Sequence, residues 1–174
     1  MLFRSHWARH LLRIRTLQEK TQGFTEFVPL PFVHMEAPVY LRGGARKGPT
    51  FREALLMYAV ARLVLNSVLP NIQVSWVKMG EAGVVAALAA GANDLGGTLM
   101  NESISRAAGT QHGQEMAPAA MDALIRRAGR VPQQRTTLYG AASTEREQRS
   151  YSASPLTALP VTATPVRRRI SEAA

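Results

Sequence analysis

The chain contains no cysteine. That excludes disulfides, thiolate zinc sites and cysteine-ligated iron–sulfur clusters built from its own residues. It has no apolar run approaching the roughly 18 residues of a membrane span, so no transmembrane helix is expected. Residues 1–15 are basic and amphipathic, without a continuous apolar stretch or a small-residue cleavage site. They do not read as a secretory signal, and the expected location is the cytoplasm. A Gly-rich phosphate fingerprint, a nucleophile elbow and a paired-histidine metal motif are also missing. Aromatic residues make up only 6% of the chain and are not interleaved with its basic runs, as stacking single-strand nucleic-acid binders require. The formal net charge of +9 is concentrated in Arg4, Arg9, Arg13, Arg15 and Lys20 and in Arg146, Arg149, Arg167, Arg168 and Arg169. Those runs read as solvated surface. A basic nucleic-acid-binding protein is the alternative from another class, and an insensitivity of binding to salt would end it.

What is present is enough for one core. The chain has 174 residues, 46% of them hydrophobic, against about 250 for a complete eight-stranded β/α barrel. Residues 5–21 place Trp7, Leu11, Ile14 and Leu17 at helical spacing, with Gly23 as a C-cap. Phe24 to Leu30 reads as a strand, ended by Pro29 and Pro31. A long loop, 31–48, follows. Pro49, Thr50 and Phe51 open a helix whose expected apolar face is Leu55, Leu56, Ala59, Val60, Leu63 and Val64. Ile72 to Val77 alternates as a strand, with Gln73 and Ser75 on the face opposite Ile72, Val74 and Trp76. Glu81 to Ala90 reads as a helix, 92–97 as a very short strand, 102–107 as a short helix and 118–128 as a further helix ended by Gly129. Alternating strands and helices give an α/β fold, expected to be the C-terminal part of a TIM-type barrel. The first helix has no strand before it, so the chain is expected to start in mid-repeat. Residues 1–140 form the expected domain. Residues 141–174 lose periodicity and are expected to be a disordered basic tail.

In a parallel barrel the loops after the strands share the C-terminal face, where active sites lie. The candidate pocket residues are Glu26, His34, Gln73, Ser75, Lys78, Asp94, Thr98, Glu102 and Ser103. Each has a plain structural reading as well. His34 fits an exposed loop, Lys78 a surface ion pair, and Gln73 and Ser75 a satisfied interior. Asp94 ahead of Gly96 and Gly97 fits turn chemistry. The run Asn101-Glu102-Ser103 fits helix capping, or the capture of an anion by free backbone N–H groups. No metal ligand and no catalytic residue is assigned.

Several long stretches resemble the FO synthase family, and within it the tyrosine-using half, the 4-hydroxyphenyl transferases. They are Gly23-Phe24-Thr25-Glu26-Phe27-Val28-Pro29-Leu30-Pro31-Phe32-Val33-His34, then 71–78, then 92–105, then Arg135-Thr136-Thr137-Leu138-Tyr139-Gly140. The resemblance runs from about Trp7 to Gly140. It implies a radical S-adenosylmethionine enzyme on a barrel, using S-adenosylmethionine and a [4Fe–4S] cluster. It also implies L-tyrosine and 5-amino-6-(D-ribitylamino)uracil as substrates in deazaflavin coenzyme biosynthesis. The related radical enzymes of the futalosine route to menaquinone are the near alternative, and Thr25 to Phe32 favours the deazaflavin branch. The family's Cys-x3-Cys-x2-Cys cluster motif has no counterpart here. The resemblance therefore implies a C-terminal part, inactive alone, with a complementing N-terminal barrel half as a partner. Exposed strand edges are expected where that half would pair.

Overall fold

The computed structural model describes residues 4–97, 104–110, 112–113 and 115–156. Helix α1 (Arg4–Thr21) leads into a single parallel bridge, Phe27 to Ile72. After a short helix α2 (Pro38–Leu41) comes the long helix α3 (Phe51–Leu65). Strand β1 (Gln73–Val74), helix α4 (Trp76–Ala89) and strand β2 (Asp94–Leu95) follow. Helices α5 (Ile104–Ala107), α6 (Pro118–Arg127) and α7 (Thr144–Ser152) complete the order. β1 and β2 pair in parallel, Gln73 with Asp94 and Val74 with Leu95. Three strand segments thus lie side by side in chain order, with α3 and α4 as the crossovers. This is the parallel α/β arrangement expected from the alternation, in a short form. Among the described residues no helix is long and apolar enough to cross a membrane.

Local chemistry explains the helix boundaries. Thr50 caps α3, accepting from the Glu53 N–H at 3.2 Å, while the Glu53 carboxylate accepts from the Thr50 N–H at 2.9 Å. This reciprocal capping box satisfies two donors that a helix start otherwise leaves open. Helix α1 ends at Thr21, as expected, but the residue that turns the chain there is not the expected glycine. Gln22, not Gly23, takes the left-handed conformation (φ 50°). The buried Gln18 amide makes that ending work: it donates to the Phe24 and Val68 carbonyls and accepts from the Phe24 N–H. Gln18 thereby occupies the inward stripe behind Trp7, Leu11 and Ile14, and Leu17, expected there, is exposed.

The core is carried by Leu11, Tyr58, Leu65, Leu69, Ile72, Val74 and Val84, all fully buried. The inward face of α3 is Ala54, Tyr58, Ala61 and Leu65. Leu56 and Leu63, expected on it, are exposed, Leu63 to 82%. Tyr58 crosses to the strand side and donates to the Pro29 carbonyl at 3.2 Å; burial pushes its phenol up to about 12.

Two expectations are corrected. The strand expected over 72–77 stops at Val74, because Ser75 becomes the N-cap of α4 and Trp76 is already helical. Lys78, expected in a loop, therefore sits in the first turn of α4. That turn is set off from the rest of the helix by Gly80, whose φ of 64° and ψ of 175° break it. A side chain at Gly80 would strike the His112 ring, which lies against it. The segment expected to be aperiodic from residue 141 contains α7. Ser143 caps it by accepting from the Arg146 N–H. Tyr151 on α7 donates to Asp122 of α6 at 2.8 Å, and Gln134 donates to Ser150 at 3.0 Å.

Candidate functional site

The strands carry two polar centres, one toward each end. The first gathers residues at the strand starts. Glu26 precedes the Phe27 bridge, and Gln73 and Asp94 open β1 and β2 as direct register partners. The Gln73 amide donates to both carboxylates, at 2.8 Å to Asp94 and 3.2 Å to Glu26. Arg135 forks onto Asp94 with two bonds, 2.7 and 2.5 Å, and reaches Glu26 at 3.3 Å. Tyr139 donates to Glu26 in a short contact and lies 2.9 Å from the same Asp94 oxygen that Gln73 and Arg135 use. The Arg135 guanidinium also stacks over the Tyr139 ring, 3.9 Å from its centre.

A tight turn delivers that pair. Arg135 and Ala141 form an antiparallel bridge, the Thr136 N–H donates to the Gly140 carbonyl at 2.8 Å, and the Thr136 hydroxyl accepts from the Gly140 N–H at 3.0 Å. Tyr139 is held at φ 63°, a conformation a bulky residue rarely takes. Such strain persists where the surroundings over-determine it, and here the phenol's two carboxylate contacts do so.

Burial alone would raise the Asp94 carboxyl. Hydrogen bonds from Arg135, Gln73 and Tyr139, with the Arg135 charge, together outweigh it and hold Asp94 below the ordinary carboxylate value. The hydrogen bond to Asp94 in turn raises Arg135, against the effect of burial. Burial, the bond to Glu26 and the nearby Asp94 raise the Tyr139 phenol, so it stays a neutral donor. Desolvated, bidentate and hydrogen-bonded on its remaining oxygen positions, this pair meets the conditions under which a partly buried ion pair is favourable.

The second centre lies where the strands end. Lys78 Nζ bonds to the buried Ser105 hydroxyl at 3.0 Å, linking the first turn of α4 to α5. The Trp76 indole donates to the Gly97 carbonyl at 3.1 Å. The Glu36 N–H donates to the Ala108 carbonyl at 3.0 Å, and Met35 lies against Gly109. His34 Nδ1 accepts from the Gly48 N–H at 3.2 Å, and its ring meets Tyr40 edge to face. Burial, with Lys47 nearby, lowers the His34 imidazole. It therefore serves as a neutral acceptor that pins the two ends of the 34–48 loop together. Gly48 is required there, since a side chain would strike the Phe32 carbonyl.

The structure thus brings Glu26, Gln73 and Asp94 into one network and puts Lys78 with Ser105. Ser75 is half-buried at the head of α4, where its side chain makes no capping bond. His34 stands in the loop clasp. Thr98, Glu102 and Ser103 lie outside the described residues. Among the described residues no group of three or more His, Cys, Asp or Glu could hold a metal ion. Sequence reasoning missed Arg135 and Tyr139. Arg135 and Tyr139 stood in the matched stretch 135–140. An arginine and a tyrosine four apart, facing unassigned carboxylates, was the available signal.

Parallel strand–helix units with polar loops after the strands define a parallel α/β protein. Comparison with known proteins narrows this. Residues 21–148 match the family described as the CofH/MqnC C-terminal region, and the chain belongs to that family. It is 55% identical over 133 residues to a Methanopyrus kandleri protein named 5-amino-6-(D-ribitylamino)uracil–L-tyrosine 4-hydroxyphenyl transferase. That match covers 76% of this chain and 36% of the relative. The Methanocaldococcus jannaschii protein of the same name is 51% identical over 134 residues, covering 77% and 37%. A Nocardia farcinica protein named FO synthase is 53% identical over 136 residues, covering 78% and 16%. The chain therefore spans between about a sixth and just over a third of the length of these relatives.

Proposed function

We propose that this chain supplies the C-terminal portion of a radical S-adenosylmethionine transferase on a β/α barrel. The reaction joins the 4-hydroxybenzyl group of L-tyrosine to 5-amino-6-(D-ribitylamino)uracil in deazaflavin coenzyme synthesis. The observation that carries this reading is the 55% identity over 133 residues to the Methanopyrus kandleri transferase. The family description also covers menaquinone-type relatives, but the relatives cited above bear the FO synthase or transferase names.

A [4Fe–4S] cluster does not fit this chain: there is no thiolate to ligate it. Its ligands would come from a complementing N-terminal half, and no step through the cluster is assigned to residues here. The residues on this chain bind and shape. In this reading Ser75 and Lys78, at the strand ends, form pocket wall. Thr98, Glu102 and Ser103 remain candidate pocket residues on the sequence alone, and His34 sets the position of the 34–48 loop. Glu26, Gln73 and Asp94 form a floor whose acidic charge Arg135 balances in part.

A covalent hybrid tests the reading. The upstream portion of the Methanopyrus kandleri relative is joined to residues 21–156 of this chain and assayed anaerobically with both substrates. Formation of the tyrosine–uracil adduct is expected. A folded, cluster-loaded hybrid that cleaves S-adenosylmethionine but makes no adduct would overturn it.

A further inference from the structure

The positive charge at the strand ends has no counter-ion. Lys78, in the first turn of α4, gives one N–H to the Ser105 hydroxyl, a neutral acceptor that is buried. An ammonium has three donors, so two remain. Arg106 follows Ser105 on α5. Among the described residues neither cation has a carboxylate at ion-pair distance. The turn that follows holds further donors that the protein does not use. Thr110 folds back on Ser105, its N–H donating to the Ser105 carbonyl at 3.0 Å. The Thr110 hydroxyl is shut away from water without a hydrogen-bonding partner, and so is the Arg106 Nε. Beyond Thr110, the His112 ring lies against Gly80, two residues past Lys78. Segment 105–112 thus meets the Lys78 turn at both of its ends, and Thr110 lies within that span. Buried polar groups in native proteins are paired as a rule, and an orphan calls for an explanation such as an absent ligand or ion.

We propose that this turn is the subsite for the α-carboxylate of an amino acid. One carboxylate oxygen accepts from the remaining N–H groups of Lys78. The other accepts from the Thr110 hydroxyl, with the Arg106 Nε–H of the same turn as a further donor. A bound carboxylate satisfies the donors left open and neutralises the strand-end charge through charge-assisted bonds, the stronger kind. The inference rests on the reading above. In that reading two reactants carry such a group, L-tyrosine and the methionyl part of S-adenosylmethionine. The aminouracil has none, and no reactant carries a phosphate.

The full chain, isotope-labelled, would be titrated with two pairs of molecules and followed through the amide signals of Ser105 and Thr110. One pair is L-tyrosine and tyramine, the same molecule without its carboxylate. The other is S-adenosylmethionine and its decarboxylated form. In at least one pair the carboxylate-bearing member is expected to bind roughly tenfold or more tightly than its counterpart. The pair that shows the difference identifies the source of the carboxylate. Lys78→Met is expected to abolish that preference and Lys78→Arg to keep part of it, with circular dichroism confirming that both are folded. Thr110→Val separates binding from structure. It is expected to weaken the preferred ligand several-fold while leaving urea unfolding unchanged or slightly later, because the hydroxyl it removes has no partner to lose. A Thr110 with a purely structural role would lose stability and keep the preference. Equal binding within both pairs, binding of none of the four molecules, or an unaltered preference in Lys78→Met would overturn the proposal. The titration needs neither cluster nor turnover. An intact carboxylate preference alongside an inactive covalent hybrid would therefore overturn the enzymatic reading and leave the subsite standing.

Discussion

The two ends of the strands differ in how fully their polar groups are spent. At the starting end, Glu26, Gln73, Asp94, Arg135 and Tyr139 bond to one another, and three donors converge on one Asp94 oxygen. At the other end, among the described residues, Lys78 has the Ser105 hydroxyl as its hydrogen-bonding partner, and Ser75 makes no side-chain capping bond. A saturated network holds structure together. A sparsely bonded one leaves donors and acceptors for a substrate. The distinction is the physical basis for the proposal that a binding pocket lies at the strand ends, opposite a structural lock at the strand starts.

The largest expected effect is on the lock. Asp94→Ala strands a half-buried guanidinium and removes the shared acceptor of three donors. Breaking a buried pair from one side costs about 3–5 kcal/mol. Because Arg135 keeps 27% of its side chain exposed, about 2–3 kcal/mol is expected here, read from urea unfolding of the full chain. Lys78→Ala at the open end should cost less than about 1 kcal/mol. Equal losses at the two sites would dissolve the comparison. A double-mutant cycle between Asp94→Ala and Arg135→Ala should show a coupling of about 1–2 kcal/mol, since the two act as one unit.

Protonation sharpens the same contrast. Asp94 lies below its ordinary carboxylate value. In the window between the folded and unfolded values, the unfolded chain binds more protons, so stability rises with pH there. The contribution is complete above the ordinary carboxylate range and is lost as pH falls below about 4. Tyr139 lies above its ordinary phenol value. Its contribution is present below about pH 10 and is lost as the unfolded chain ionises first above it. Urea midpoints measured across pH should therefore fall at both extremes. Tyr139→Phe should flatten the alkaline limb attributable to this residue and only reduce the acid limb, since Arg135 and Gln73 still bond Asp94. An unchanged alkaline limb would remove Tyr139 from the lock.

How much of this the sequence could show depends on the distance over which each feature is specified. Thr50 and Glu53, three residues apart, announce the start of α3, and Pro118 with Gly129 frames α6. The break at Val74 was hidden because Trp76 and Val77 are good strand formers. They continue the alternation, yet the helix starts at Trp76, with Ser75 in the extended N-cap position and making no side-chain capping bond. Helix α7 has no apolar stripe to read. Its signals are Ser143 at the cap, acids in the first turn and the Glu145–Arg149 pair at 2.8 Å. The lock was the least legible feature. Arg135 meets Asp94 across 41 residues, and Tyr139 meets Glu26 across 113. No periodicity spans such intervals.

The smallest expected effect on stability is the most informative about function. Ser105 is buried, and its hydroxyl receives the Lys78 ammonium. Ser105→Ala removes that acceptor without changing volume much, and Lys78 can extend to water, so about 0.5–1 kcal/mol is expected. In the covalent hybrid the same change frees the ammonium from its anchor at the strand ends. If Lys78 shapes the substrate pocket, KM for one substrate should rise several-fold while unfolding barely shifts, and Lys78→Arg should restore part of the loss only if the charge alone matters. An Asp94→Asn hybrid should show the reverse pattern, with stability lost and KM preserved in the folded fraction. Activity that tracked stability in both variants would place the two centres in one structural role.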